Sequence, residues 1–133
     1  IIVSEIITIK IYTYLMIKPT EIRYIKKTNT LSLSFEDGIS ANLTTEYLRW
    51  FSPSAEVKGH GPGQEVLQKG KENVSIDAIE PVGNYAIKII FDDGHNTGLF
   101  SWEYLYDLSI NYKPYWHDYL EKLVEAGYVR KKP

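Results

Sequence analysis

The 133-residue sequence predicts an α+β fold: two copies of a three-strand meander plus a short helix, in mainly antiparallel sheet, with an added C-terminal helix. Three observations carry this expectation. The stretches "LSLSFEDGISANLTTEYLRWFS" (31–52) and "IKIIFDDGHNTGLFSWEYLYDLS" (87–109) share, in order, Phe-acid-Asp-Gly, Leu, Glu-Tyr-Leu and Ser, offset by 56 residues at Phe35 and Phe91 and by 57 at Glu46 and Glu103. Each opens on period-two alternation, Leu31, Leu33, Phe35 and Ile87, Ile89, Phe91, as a strand with one buried face requires. The chain closes on apolar residues at helical spacing.

Taken in order, residues 1–15 read as an upstream extension, because the only methionine, Met16, directly precedes an ordinary domain opening, "IKPTEIRYI". Alternation of Ile7, Ile9 and Ile11 with Thr8, Lys10 and Tyr12 would make that extension a strand seeking a sheet edge or a second copy, a weak homo-oligomer contact. Residues 16–133 are expected to form one domain. Within it "TEIRYIKK" predicts the first strand, and Asp37-Gly38 a tight turn between the second and third, both residues suited to positive φ. Thr44 or Thr45 then caps the helix "EYLRWF". Residues 52–73, with Gly59, Gly61, Gly63 and Gly70, read as a long connection. The second unit repeats the plan: strand "VSIDAIEPV", turn at Gly83-Asn84, strand, turn at Asp93-Gly94, strand, Ser101 as cap, helix "WEYLYDL". Pro114 suits the first turn of the last helix, Trp116, Leu120, Leu123 and Val124 mark its apolar face, Gly127 ends it, and "RKKP" trails into solvent.

Composition narrows the function. Fifteen Lys plus Arg against 17 Asp plus Glu give net −2, without the basic stripe of a nucleic-acid binder. With no cysteine, the chain has no disulfide, no zinc–cysteine or iron–sulfur site built on its own thiolates and no cysteine nucleophile. Glu5 and Lys10 interrupt the apolar start, so neither a membrane span nor a signal peptide is expected there, and the expected location is cytoplasmic.

Histidines are the scarce resource, three in all. His117 beside Asp118 reads as a helix-surface residue, and His60 lies among loop glycines. His95 follows the "FDDG" turn, where it could act with Asp93 as a metal ligand or general base, although Asp-Gly is first a turn signal and the matching position in the first unit is Ile39. Ser52-Pro53-Ser54 lacks the glycine bracket of a nucleophile elbow, and "GHGPG" matches no phosphate-binding loop. Trp50, Trp102, Trp116 and Tyr104 could line a cation cage, but core packing is the simpler reading.

"LRWFSPSAEVKGHGPGQ", "IEPVGNYAIKIIFDDGHNTGLFSWEYLYDL" and "YWHDYLEKL" together resemble the small bacterial DUF971 domains, also described as the gamma-butyrobetaine hydroxylase-like N-terminal domain, with the likeness running from about Pro19 to Gly127. Similar domains accompany gamma-butyrobetaine and trimethyllysine dioxygenases and some P-loop iron–sulfur carriers. In the dioxygenases the resemblance implies a structural zinc on three cysteines and a histidine, whose positions here fall on Ser52, Ser54, Val57 and His95. Only the histidine is kept, so the zinc site is expected to be lost and no cofactor is expected. The dioxygenase iron triad needs a His-x-Asp/Glu pair, and here His60, His95 and His117 lead two positions on to Pro62, Thr97 and Tyr119.

The expectation is therefore a non-catalytic accessory domain that binds another protein, linked to iron–sulfur or metalloenzyme maturation, with Arg49, Ser52, Ser54, His60, Asp93 and His95 as the candidate binding surface and neither nucleic acid nor membrane as partner. The alternative is a metal-ion module holding iron or zinc on His95 with Asp93 or His60. A small enzyme using His95 and an aspartate comes third.

Overall fold

A computed structural model describes residues 17–59 and 63–131. The strand expected in 1–15 and the candidate His60 lie outside the described residues. The elements run β1 (Pro19–Ile25), β2 (Thr30–Phe35), β3 (Ser40–Thr44), α1 (Thr45–Trp50), α2 (Ala55–Lys58), β4 (Ile76–Val82), β5 (Ala86–Phe91), β6 (Leu99–Ser101), α3 (Trp102–Ile110) and α4 (Tyr112–Glu125). The strands form two antiparallel sheets, ordered β1-β2-β3 and β4-β5-β6. The fold is the expected mixture of two meanders, each followed by a helix, plus a C-terminal helix. The four-residue α2 is an addition that the glycine-rich composition of 52–73 concealed.

The central strands set the register. Leu31, Leu33 and Phe35 on β2 and Ile87, Ile89 and Phe91 on β5 are each at most 3% exposed. A one-residue slip would turn all of them to solvent, so the alternation fixes the pairing. Both sheets feed one core with Leu43, Tyr47, Leu48, Phe100, Leu105 and Leu108. Asn29, in the left-handed region at φ 52°, ties the sheets: it accepts from Tyr24 and Thr45 and donates to the Val74 carbonyl at 2.7 Å.

Both Asp-Gly turns fall where expected but use a different geometry. Only the glycines take positive φ, Gly38 at +89° and Gly94 at +88°. The Phe35 N–H bonds the Ile39 carbonyl and the Gly38 N–H the Phe35 carbonyl, and Phe91, Gly94 and His95 repeat the pattern. This is a three-residue loop with a glycine bulge. The aspartates contribute through their carboxylates, Asp37 Oδ1 accepting the Ile39 N–H at 3.1 Å and Asp93 Oδ1 the His95 N–H at 3.3 Å.

Of the cap candidates, Thr44 and Ser101 each accept an N–H from three residues on, Tyr47 and Tyr104, at 3.2 Å. Every residue of α1 is buried, which forces Glu46 and Arg49 to find partners inside the protein. On α4 the deepest positions are Tyr119 at 0% and Leu123 at 1% exposure, with Trp116 and Leu120 half-buried beside them, while Val124 is 74% exposed. Its helical spacing marks Val124 as apolar but on the flank of the packed face.

The described part of the C-terminal tail, through Lys131, is tied back to the protein. Arg130 donates to both oxygens of buried Glu46, Tyr128 donates to both oxygens of Glu72, and the Lys131 N–H donates to Glu72 at 2.7 Å. A buried carboxylate on α1 draws the tail back. The aromatic residues pack as core and belt, Trp50 stacking on Tyr119 at 5.4 Å and Phe51 on Tyr115 at 5.4 Å. Among the described residues no helix is long and apolar enough to cross a membrane.

Candidate functional site

Local devices hold residues 49–58. The Phe51 N–H closes α1 on the Tyr47 carbonyl at 3.0 Å, and Tyr104 on α3 donates to the Phe51 carbonyl at 2.6 Å. Ser54 then caps α2, its Oγ accepting the Glu56 N–H at 3.2 Å. These bonds turn Ser52, Ser54 and Glu56 toward the segment after β5.

There the two segments clamp together. Ser52 Oγ lies 2.7 Å from His95 Nε2, and His95 Nδ1 lies 2.6 Å from Glu56 Oε2. A carboxylate only accepts, so His95 donates from Nδ1 to Glu56 and its Nε2 accepts the Ser52 hydroxyl. Ser54 Oγ is 2.5 Å from Thr97 Oγ1. Gly98 passes so close that a Cβ there would overlap Ser52 Oγ and lie 3.0 Å from Pro53 Cδ. Ser52 is 1%, His95 3% and Ser54 4% exposed, so the clamp lies within the protein.

That close approach is testable. Gly98→Ala is expected to lower the thermal midpoint by about 5 °C, the cost of overpacking a tight site, and Ser52→Ala in the same chain to return part of the loss. A Gly98→Ala midpoint equal to wild type would show that the segments separate at no cost.

A charged layer lies beside the clamp. Arg49 Nε donates to Asp93 Oδ2 at 3.0 Å and Lys71 Nζ to the same oxygen at 2.7 Å. Burial alone would raise the Asp93 carboxyl, but Lys71, the His95 N–H and Arg49 outweigh it and hold it at about 2. The His95 imidazole is pushed down, first by burial and then by the Arg49 guanidinium, with Glu56 and Asp93 pulling upward without overcoming them. Neutral imidazole is thus the form the fold prefers. Arg49 Nη1 is buried and has no hydrogen-bond partner among the described residues.

The structure brings Arg49, Ser52, Ser54, Asp93 and His95 together. Arg49, Ser52, Ser54 and His95 are buried, so they join one segment to another instead of forming an outer contact surface. His117 is a surface residue, 3.0 Å from Glu121 one turn on. Glu56 and Thr97 complete the clamp and were not singled out in the sequence. Ser54-x-Glu56 at a helix start was the available signal, since it reads as a cap with an acid in the first turn.

The four positions that the resemblance assigns to zinc divide. Ser52 and His95 bond each other, Ser54 turns to Thr97, and Val57 packs with Trp50, Tyr119 and Leu123. With two hydroxyls and an alkyl group in place of thiolates, these residues do not fit zinc. Among the described residues no three His, Asp or Glu side chains converge as a metal-ion site would need.

The family model described as gamma-butyrobetaine hydroxylase-like, N-terminal matches residues 22–106. The chain is similar to one protein with an NMR solution structure at 46% identity and TM-score 0.74, covering 87% of this chain and 91% of the other. It is similar to a second such structure at 49% identity and TM-score 0.73, covering 86% of each. It also resembles the crystal structure of a protein of unknown function of the DUF971 family from Acidithiobacillus ferrooxidans, at 40% identity and TM-score 0.58, over 68% of this chain and 91% of that one. No curated protein matches it. With more than half of its length matched by the family model, the chain belongs to the gamma-butyrobetaine hydroxylase-like N-terminal domain family, of which DUF971 is the other description.

Proposed function

We propose that this domain is a non-catalytic accessory module that binds another protein, in iron–sulfur or other metalloenzyme maturation. The observation that supports it is the clamp: the side chains with chemical potential, Ser52, His95 and Glu56, are bonded to one another and serve to join the loop after α1 to the segment after β5. What the domain offers outward is surface.

One feature favours a second reading, that of a small hydrolase. Serine to histidine at 2.7 Å and histidine to carboxylate at 2.6 Å match the spacing of nucleophile, base and orienting group, with Glu56 in the carboxylate's place instead of an aspartate. Access argues against it. Ser52 is 1% exposed, and Gly98 passes so close that a Cβ there would overlap its Oγ, so the hydroxyl is shielded from a substrate. The metal-module reading has less support: both His95 ring nitrogens are engaged, and Asp93 Oδ2 is held by Arg49 and Lys71.

Two measurements test the proposal. A fluorophosphonate probe is expected to leave Ser52 of the folded protein unlabelled; labelling of Ser52 that disappears in His95→Ala would establish the hydrolase instead. The chain purified from its native cells is expected to retain a stoichiometric protein partner through size exclusion. Loss of any partner with the tag at either terminus would overturn the interaction role.

A further inference from the structure

We propose that the groove between β3, an edge strand among the described residues, and the corner joining α3 to α4 binds an extended, acidic segment of a partner protein as an added strand, an inference that rests on the interaction-module reading above. The groove holds about 410 Å³ and is lined by Ala41, Asn42 and Leu43 on one side and Ile110, Lys113 and Pro114 on the other. That volume lies within the roughly 300–1,000 Å³ usual for ligand sites.

The edge supplies the backbone partners. Phe35 and Ile39 form a hydrogen-bonded pair, so by antiparallel alternation Leu33–Ala41 and Leu31–Leu43 are the other bonded pairs, and the N–H and C=O of Ser40 and Asn42 point away from β2. The other three sheet edges among the described residues are blunted. β1 carries Pro19 and a register shift between Pro19 and Glu21; β4 carries Pro81 and a shift between Ile76 and Ala78; β6 has three residues. Proline, bulges and shortness are the means by which sheets discourage strand addition, and β3 has neither proline nor bulge.

Charge selects the occupant. Lys113 is the one charged residue of the groove lining, is exposed, and makes no ion pair among the described residues. It stands in the first turn of α4, which has no acidic residue, while the Asn111 amide donates to Asp107 at 2.7 Å and gives α4 no side-chain cap. Ile110, 46% exposed, offers an apolar contact beside it. An extended peptide with a carboxylate near an aliphatic side chain satisfies the edge, the lysine and the isoleucine together.

The test selects a displayed random octapeptide library on the purified chain and titrates the selected peptides, resynthesised, into isotope-labelled protein. Expected are sequences enriched in Asp or Glu, amide shifts centred on Ser40, Asn42 and Lys113, and about tenfold weaker binding to Lys113→Glu, a loss typical of removing a favourable charge pair and adding a repulsive one. Asn42→Pro, which removes an outward donor while the β2 ladder keeps its bonds, is expected to abolish binding; should it not fold, Lys113→Glu decides alone. Shifts elsewhere, peptides without acidic residues, no enrichment, or unchanged affinity in Lys113→Glu would overturn the proposal. A concentration-dependent dimer dissolved by Asn42→Pro would assign the edge to a second copy and overturn it too. A cellular partner retained by both variants would sink this groove while leaving the interaction role intact, whereas absence of any cellular partner tells against that role and not against the titration.

Discussion

Arg130→Ala is expected to destabilise the domain by about 3 kcal/mol and to lower its thermal midpoint by about 10 °C. Glu46 lies on fully buried α1 with its side chain 5% exposed, and Arg130 grips both carboxylate oxygens. Of its other neighbours, Tyr119 OH is 3.5 Å away, a long bond. Removing the guanidinium leaves an uncompensated buried carboxylate, which costs several kcal/mol; the one-third exposure of the Arg130 side chain moves the figure to the lower end of that range. The raised Arg130 pKa, due first to its hydrogen bonds with Glu46, agrees in direction. Urea unfolding of Arg130→Ala, Glu46→Gln and the double variant measures the effect, with the double variant recovering much of the loss because no charge is then stranded. Lys131→Ala serves as the control, since among the described residues only its backbone N–H is engaged, with Glu72. An Arg130→Ala domain within about 0.5 kcal/mol of wild type, the usual range for surface substitutions, would show that the tail is an ornament of the fold and not part of it.

His95→Ala is expected to cost about 3 kcal/mol, from the cavity left by a 3% exposed ring and from Ser52 Oγ losing its acceptor in the interior. The bond to Glu56 adds little, because that carboxylate is 59% exposed. The pH dependence separates this role from mere volume. His95 is held below its ordinary pKa of 6.5 in the fold, by burial first and Arg49 second. The unfolded chain therefore binds the proton more readily, so the stability that neutral His95 contributes is fully present above about pH 6.5 and is lost as pH falls toward the lowered folded value. Wild-type stability should decline as pH falls below about 6.5, and His95→Ala should remove that part of the decline. Parallel curves for the two proteins across this window would refute a neutral, clamped imidazole. Asp93 titrates lower, between its ordinary 3.8 and about 2, and so does not blur the window.

The two halves of the candidate site differ in how legible they were. His95 stood out because histidines are few and because it follows the Asp93-Gly94 turn, and Ser52 and Ser54 stood out by their place in the resemblance. Their mutual bonding did not, because 43 residues separate each serine from its partner and nothing local to either segment encodes the approach. Gly98 looked like one glycine among nine. Its role follows only from Ser52 and Pro53 lying against it. Arg130 shows the same limit. In "RKKP" it reads as a solvated tail, and Glu46, 84 residues earlier, reads as the acid of a capped helix; burial of α1 on all sides turns both into an obligate pair.

What the sequence by itself determined is the set of local structures: the alternation at Leu31–Phe35 and Ile87–Phe91, the Asp-Gly turns, the caps at Thr44 or Thr45 and at Ser101, and hence two meander-plus-helix units and a closing helix. These depend on periodicity and turn chemistry within a few residues, where each choice carries its own free-energy preference. Tertiary structure alone decided which polar groups were enclosed. Once α1, α2 and the segment after β5 met, Ser52, His95 and Glu46 lost water and had to be satisfied by groups far along the chain, because an unpaired buried polar group costs more than a local sequence preference can return.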